Sequence, residues 1–193
     1  MRFAREPVVA SAPYAYDTAW NQVREPDSGL LQILALVTGA ALCVAVLVGW
    51  MLLAPFRPIR IDYATFAVAA LIVLVAHELA HAVAFTLKRG ADLRVGCALR
   101  KGRLSMRYEG AVTRNHYVLV LIAPLLAVSL LPVAVASLVS IASGDVVLIS
   151  MLNALTCGSD VIAAMLVVVQ VPPGALMRRQ GDTVLWKPPA ARA

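Results

Sequence analysis

Charged residues are scarce in this chain and absent from long parts of it. Asp, Glu, Lys and Arg make up 15% of its 193 residues, and the stretches 29–56 and 115–143 contain none of them. Hydrophobic side chains make up 61%, and the mean hydropathy is +0.80. A small soluble domain cannot bury so much apolar surface. The composition therefore excludes a single water-soluble globule and indicates a small membrane protein.

Cysteine is also rare. Cys43, Cys97 and Cys157 fall in three different segments. This spacing excludes both a disulfide framework and a CxxC metal-binding motif. The thiols give no indication of a redox compartment.

Four apolar stretches are long enough to cross a bilayer, which takes about 20 residues per helix. They cover residues 29–53, 63–87, 116–139 and 146–171, and prolines, glycines or charges separate them. We therefore predict an all-α polytopic membrane protein. Its transmembrane domain spans 29–171, with a core at 63–171, between an N-terminal segment, 1–28, and a C-terminal tail, 172–193.

The basic residues are distributed very unevenly about these spans. Four spans place both termini and the connection 88–115 on one side, which holds fifteen of the 17 cations; Arg57 and Arg60 lie on the other. The positive-inside rule then predicts cytoplasmic termini in a multi-pass protein of the cell membrane. The cations are explained by contact with an anionic leaflet of the bilayer, and nothing favours binding to nucleic acid.

The long basic connection has the alternation of a β-hairpin. Leu93, Val95, Cys97 and Leu99 alternate with smaller or more polar residues, and the alternation resumes at 104–108 after a turn signal at 101–102. We predict a small cytoplasmic hairpin between the second and third helices. The alternative is an irregular basic loop on the lipid headgroups. A second β-like run covers 183–186.

An HExxH motif interrupts the second apolar span. His77 and His81 are four residues apart, so on a helix they share one face and can bind one Zn²⁺, while Glu78 can take a proton from water at the metal. Water on zinc has a pKa near 7, which makes hydroxide available at neutral pH. The alternative is a buried hydrogen-bonded His–Glu cluster. Ionisable groups within a membrane favour the functional interpretation.

A catalytic zinc site takes three protein ligands and keeps one position open. Asp160 is the one acidic residue inside the other three spans. The topology places Asp160 at nearly the depth of the two histidines, because helices two and four run in the same direction. Asp160 is therefore the predicted third ligand. The alternative is a protonated aspartate bonded to a neighbouring helix.

The fourth helix carries further polar residues on the face of Asp160. Asn153, Thr156, Cys157 and Asp160 follow helical spacing. Asn153 or Thr156 could hold a hydrogen bond to a metal ligand or to substrate. The alternative is that this stripe serves helix–helix packing.

Two prolines lie in the third helix. Pro124 and Pro132 remove backbone donors and should kink it. The kink could form a lateral gate, or it could have no such role. His116, at the start of this helix, is interpreted as interfacial rather than as a ligand.

An intramembrane HExxH helix, an intervening helix, and a helix with Asn and a later Asp resemble the three-helix core of site-2-protease-like intramembrane metalloproteases. The chain also resembles their small bacterial relatives, the zincin membrane peptidases. The resemblance implies that His77, His81 and Asp160 bind zinc, that Glu78 is the general base, and that Asn153 contacts substrate or the oxyanion. It also implies a water-filled channel to the cytosol. The chain departs from the usual N-x-x-P and D-G pattern, since no proline lies between Asn153 and Asp160 and Val161 follows Asp160.

These observations predict a zinc-dependent endopeptidase that cleaves membrane proteins or peptides within the membrane or at its edge, with one Zn²⁺ per chain. The alternative is a non-catalytic membrane protein that binds a metal for assembly or sensing. Co²⁺, Mn²⁺ or Fe²⁺ could occupy the same ligands.

Overall fold

The computed structural model describes residues 20–54, 58–59, 62–87, 94–100, 103–139, 142–180 and 183–189. The described residues are mostly helical, and a small amount of antiparallel sheet accompanies the helices.

The first two predicted spans are continuous helices. Helix α1 covers Ser28–Leu53 and α2 covers Tyr63–Thr86. Each begins at an aspartate, since Asp27 and Asp62 accept hydrogen bonds from backbone N–H groups of the first turn. Both helices are long and apolar enough to cross a membrane.

The third span changes its helical form between its two prolines. Helix α3 covers Arg114–Pro124, a π-helical segment covers Leu125–Leu130, and α4 covers Leu131–Val139. Arg114–Val139 together still form one apolar helix of 26 residues. Between the two prolines, where a kink is predicted, the structure has a π-helical segment, in which backbone pairing shifts by one residue.

The prediction of one continuous fourth helix over 146–171 is wrong. Helix α5 covers Gly144–Thr156, α6 covers Gly158–Gln170, and they meet at a bend of 45°. At this bend Gly158 packs so closely on α1 that a Cβ there would collide with the Ala35 carbonyl oxygen. Hydropathy alone does not reveal the break, because the residues around it are small. The pair counts as a fourth span if it crosses as one unit.

Large apolar side chains cover the outside of the helices. Leu52, Leu138 and Val169 are 78%, 85% and 83% exposed. In water such surface would be strongly unfavourable, whereas lipid solvates it. The three or four apolar helices are those of a membrane protein.

The predicted hairpin is present. Strand β2, Arg94–Arg100, pairs antiparallel with β3, Arg103–Glu109, so that Arg100 lies opposite Arg103. The irregular-loop alternative is therefore wrong. The expected turn at 101–102 lies outside the described residues.

A second sheet of four strands corrects the prediction of an all-α fold with one hairpin. Its order is β1 (Asn21–Gln22), β6 (Thr183–Lys187), β5 (Leu176–Gln180) and β4 (Val112–Thr113), all antiparallel. The β-like run at 183–186 is confirmed as β6. Strands β1 and β4 have two residues each, which is too short for a periodic sequence signal.

The sheet packs against the end of α6. Val23, Val167, Val171, Ala175 and Met177 form a buried apolar cluster between them. The Arg114 side chain donates a hydrogen bond of 2.8 Å to the Val168 carbonyl oxygen. These contacts hold α6, the helix of Asp160, at its C-terminal end.

Candidate metal centre

Helix α2 presents two histidine rings one turn apart. His77 and His81 have ring centroids separated by 4.9 Å, with the ring planes at 83°. Both side chains are largely buried, at 13% and 11% exposure. The spacing of the HExxH motif thus puts both imidazoles at one place on the helix.

Asp160 reaches these rings from the first turn of α6. Its Oδ2 lies 3.1 Å from Nε2 of His77 and 3.6 Å from Nε2 of His81. One atom from each residue can be chosen so that all three lie within 4.8 Å of one another. The break between α5 and α6 places the carboxylate at a helix N-terminus, where the helix dipole favours negative charge.

A backbone carbonyl fixes the tautomer of His81. Its Nδ1 lies 2.8 Å from the Val120 carbonyl oxygen of α3. A carbonyl oxygen only accepts hydrogen bonds, so Nδ1 carries the proton and donates. In the neutral ring, the lone pair is then on Nε2, which faces Asp160.

Asn153 fixes the tautomer of His77 in the same way. The Asn153 side chain is fully buried, and its Nδ2 donates to the Pro124 carbonyl oxygen at 2.9 Å and to Ser129 Oγ at 2.8 Å. The carbonyl contact identifies this atom as the amide nitrogen. The other atom, Oδ1, lies 3.1 Å from His77 Nδ1 and accepts its proton. His77 therefore also directs the lone pair of Nε2 at Asp160.

The resulting donor set fits a zinc ion. With both rings neutral, three acceptor atoms converge, and the described residues offer no hydrogen-bond donor to the buried Oδ2 of Asp160. Such an arrangement is unfavourable unless a cation lies between the acceptors. Ligands about 2.0–2.1 Å from a tetrahedral zinc lie about 3.3 Å apart, close to the separations from Asp160. Two imidazoles and a carboxylate are also a usual zinc ligand set.

Thr156 and Glu78 border this cluster. The Thr156 hydroxyl donates to the Asn153 carbonyl oxygen at 2.8 Å. The Thr156 hydroxyl oxygen also lies 3.4 Å from His77 Nδ1. Glu78 follows His77 on α2 and is half-buried. Its carboxylate is a base adjacent in sequence to the first histidine.

Cys157 and His116 are of residue types that bind metals, but neither belongs to the cluster of His77, His81 and Asp160. Cys157 is buried with Sγ 4.0 Å from His77 Nδ1, the nitrogen that already donates to Asn153. His116 Nε2 donates to the Phe85 carbonyl oxygen at 3.2 Å and so connects α3 to the end of α2.

The sequence did not predict that the Val120 carbonyl, Ser129 and Ser150 take part in the site. The Val120 carbonyl has no side-chain signal. Ser129 is fully buried and donates 2.9 Å to the Ser150 carbonyl oxygen, which extends the polar network of Asn153. Two serines in otherwise apolar helices were a usable signal for this network.

Comparison with known proteins gives one family match. The model of a family described as "putative zincin peptidase" matches residues 70–176, which include the two histidines, Asn153 and Asp160. No curated protein matches the chain, and neither does any solved structure.

Proposed function

The chain belongs to this zincin peptidase family, a family of zinc metallopeptidases, and from that premise we propose that it is a site-2-protease-like endopeptidase. It hydrolyses peptide bonds of membrane proteins within the bilayer or at its edge. In this proposal His77, His81 and Asp160 bind the zinc ion, and Glu78 is the general base.

The observation that carries the proposal is the convergence of three acceptors from two helices. Asp160 Oδ2 lies 3.1 Å from His77 Nε2 and 3.6 Å from His81 Nε2, and each histidine is oriented by a hydrogen bond at its other nitrogen. Orienting bonds of this type are typical of metal-binding histidines. A packing cluster would not require both lone pairs to face a carboxylate.

Zinc bound there supplies a Lewis acid that activates water and polarises the scissile carbonyl. Glu78 accepts the proton of the attacking water and then donates it to the leaving amine. This dual role requires a carboxylate that is not sealed in the core, and Glu78 is only half-buried.

The depth of the site supports an intramembrane substrate. His77 lies nine residues before Thr86, the last residue of α2, which is about 14 Å along the helix at 1.5 Å per residue. A peptide bond within a helix is closed by its own hydrogen bonds. The substrate must therefore be locally extended at the cleavage site, which favours sequences with helix-breaking residues.

The substitution Glu78→Gln tests the assigned chemistry. We expect cleavage to fall by at least about 100-fold, the lower end of what a general base contributes, with zinc retained. The assay uses synthetic transmembrane peptides with a central Gly-Pro pair, reconstituted with the protein in phosphatidylcholine–phosphatidylglycerol vesicles. Mass spectrometry detects the new amino termini.

Glu25→Gln is the matched control, since Glu25 is exposed near strand β1 and far along the chain from α2. It should cleave like the wild type. Undiminished cleavage by the Glu78 variant would remove Glu78 from the mechanism. Stoichiometric zinc with no cleavage by the wild type would favour the non-catalytic metal-binding alternative.

A further inference from the structure

The hydrogen bond that orients His81 depends on the absence of another hydrogen bond. In a regular α-helix the Val120 carbonyl would accept the N–H of the residue four positions later. That residue is Pro124, which has no N–H. The carbonyl of Val120 is thus left without its helical partner, and His81 Nδ1 donates to it at 2.8 Å.

Pro124 also contributes to the orientation of His77. Its own carbonyl oxygen lies at the start of the π-helical segment and accepts the hydrogen bond from Asn153 Nδ2. This bond turns Asn153 Oδ1 toward His77 Nδ1. Both histidines are therefore oriented through backbone oxygens within one turn of helix around one proline.

We propose that Pro124 is a positioning residue of the metal centre, which acts by leaving the Val120 carbonyl free for His81. The inference rests on the proposed zinc site. It assigns the proline a role in ligand orientation instead of the lateral gate considered from sequence. The missing backbone donor, rather than the bend itself, is the feature that the site requires.

Pro132 is a natural control in the same span. Like Pro124, it lacks an N–H, which in a regular α-helix would reach the carbonyl four residues earlier, that of Val128. This carbonyl lies in the π-helical segment, and Ser150 Oγ donates to it at 3.4 Å. Ser150 is not one of the metal-binding candidates. The two prolines therefore differ in whether the carbonyl four residues earlier contacts a histidine.

The test compares Pro124→Ala with Pro132→Ala in the full-length protein in detergent. Alanine restores an N–H that competes with His81 for the Val120 oxygen. We expect zinc affinity, measured by chelator competition, to fall 10–100-fold in the Pro124 variant, the range for lost orienting partners. The Pro132 variant should bind zinc like the wild type.

Nitrogen-15 NMR of the ring nitrogens separates orientation from general damage to the fold. The chain has three histidines, so a histidine-labelled sample gives three ring signals to assign. The Nδ1–H signal of His81 should lose its hydrogen-bond shift in the Pro124 variant, while that of His116 stays unchanged. In the Pro132 variant all three signals should be preserved.

A second variant keeps the proline. Replacing Leu121 by its α-hydroxy acid converts the 120–121 amide into an ester, whose carbonyl is a weaker acceptor. It should reproduce the effect on His81. If both variants leave the His81 signal and zinc affinity unchanged, or if Pro132→Ala lowers affinity equally, the inference is wrong. If the wild type binds no zinc, the proposed function fails, and the His81 signal alone decides the inference.

Discussion

At the residue scale, the site depends on atoms that never touch the metal position. Asn153 is fully buried, and it joins α5 to His77 through Oδ1 and to the third span through Nδ2. The oxygen and nitrogen of its side-chain amide can be told apart, because the oxygen faces a hydrogen-bond donor and the nitrogen faces an acceptor. A side chain of the same size without these groups should therefore uncouple His77.

We predict that Asn153→Leu weakens zinc binding 10–100-fold, because His77 loses the acceptor that keeps its proton on Nδ1. The loss of donors to Pro124 and Ser129 should also lower the free energy of unfolding by about 1–3 kcal/mol. Chelator competition and thermal unfolding in detergent measure the two effects.

Ser150→Ala is the control for the stability effect. It loses the bond from Ser150 Oγ to the Val128 carbonyl oxygen but no contact with a histidine. We expect a lower unfolding temperature with unchanged zinc affinity. Unchanged zinc affinity in Asn153→Leu would show that the amide does not orient His77.

Residue types and spacing predicted the candidate ligands, and the structure brings His77, His81 and Asp160 together. The HExxH spacing needs only helical geometry, and Asp160 follows from the scarcity of charge in the spans. The Val120 carbonyl was beyond prediction because it is a backbone atom on another helix. The spacing predicts that Asn153 lies near the ligands, and its Oδ1 is 3.1 Å from His77 Nδ1, but its other partners depend on how the helices pack.

At the scale of the element, the bend between α5 and α6 determines where Asp160 lies. The bend lies where α1 packs closely against α5 and α6, and each of the closest contacts involves a glycine. A Cβ on Gly158 would collide with the Ala35 carbonyl oxygen, and one on Gly39 would collide with the Leu155 carbonyl oxygen. Both obstacles are backbone atoms, so a larger residue cannot be accommodated by a change of rotamer.

We predict that Gly158→Ala lowers the free energy of unfolding by about 1–3 kcal/mol or more, the usual cost of overpacking. Gly49→Ala in α1 should be neutral or mildly stabilising, because its added Cβ would lie 3.8 Å from Val133 Cγ1 and alanine favours helix. Thermal unfolding of the two variants makes the comparison. Equal stability would mean that α1 and α6 do not meet closely at Gly158.

The helices of the first three spans were predictable because hydropathy and length determine them. The π-helical segment and the 45° bend were not, since each depends on a local loss of backbone pairing or on contact between helices. The prolines indicated where the third span deviates but not the form of the deviation. In the fourth span small residues surround the break, but they do not predict it, because small residues are also common where straight helices pack together.

At the scale of the whole molecule, the four-stranded sheet connects distant parts of the chain. Strand β1 precedes α1, β4 precedes α3, and β5 and β6 follow α6. Paired strands must lie on the same side of a membrane. The chain must therefore cross the membrane an even number of times between β1 and β4, and again between β4 and β5. Helices α1 and α2 supply the two crossings between β1 and β4. If the third span also crosses once, the bent pair α5–α6 must cross as one span to return the chain to β5.

We predict that residues 21 and 187 are both on the cytoplasmic side and that residue 58 is on the opposite side. Single cysteines at these positions, in a chain without its three natural cysteines, should react accordingly with an impermeant maleimide in vesicles of known orientation. Cysteines at 21 and 187 should be labelled in inside-out vesicles and the one at 58 in right-side-out vesicles. Labelling of 21 and 187 from opposite sides would contradict the four-span topology.

The sheet shows what single-sequence analysis misses at this scale. Strand β6 had a β-like run of residues, but β1 and β4 are two residues long and acquire their structure from their partners. The hairpin β2–β3 was predictable because its contacts are local. The four-stranded sheet depends on contacts across most of the chain.

The most direct test of the account is the zinc content of the purified protein, measured by mass spectrometry for the wild type and four variants. We predict about one zinc per chain in the wild type, in Glu78→Gln and in His116→Ala, with loss of zinc in His77→Ala and Asp160→Ala. His116→Ala is the control for removal of a histidine that lies outside the cluster. A wild type without stoichiometric zinc, or retention of zinc in Asp160→Ala, would contradict the assignment of these residues as a zinc site.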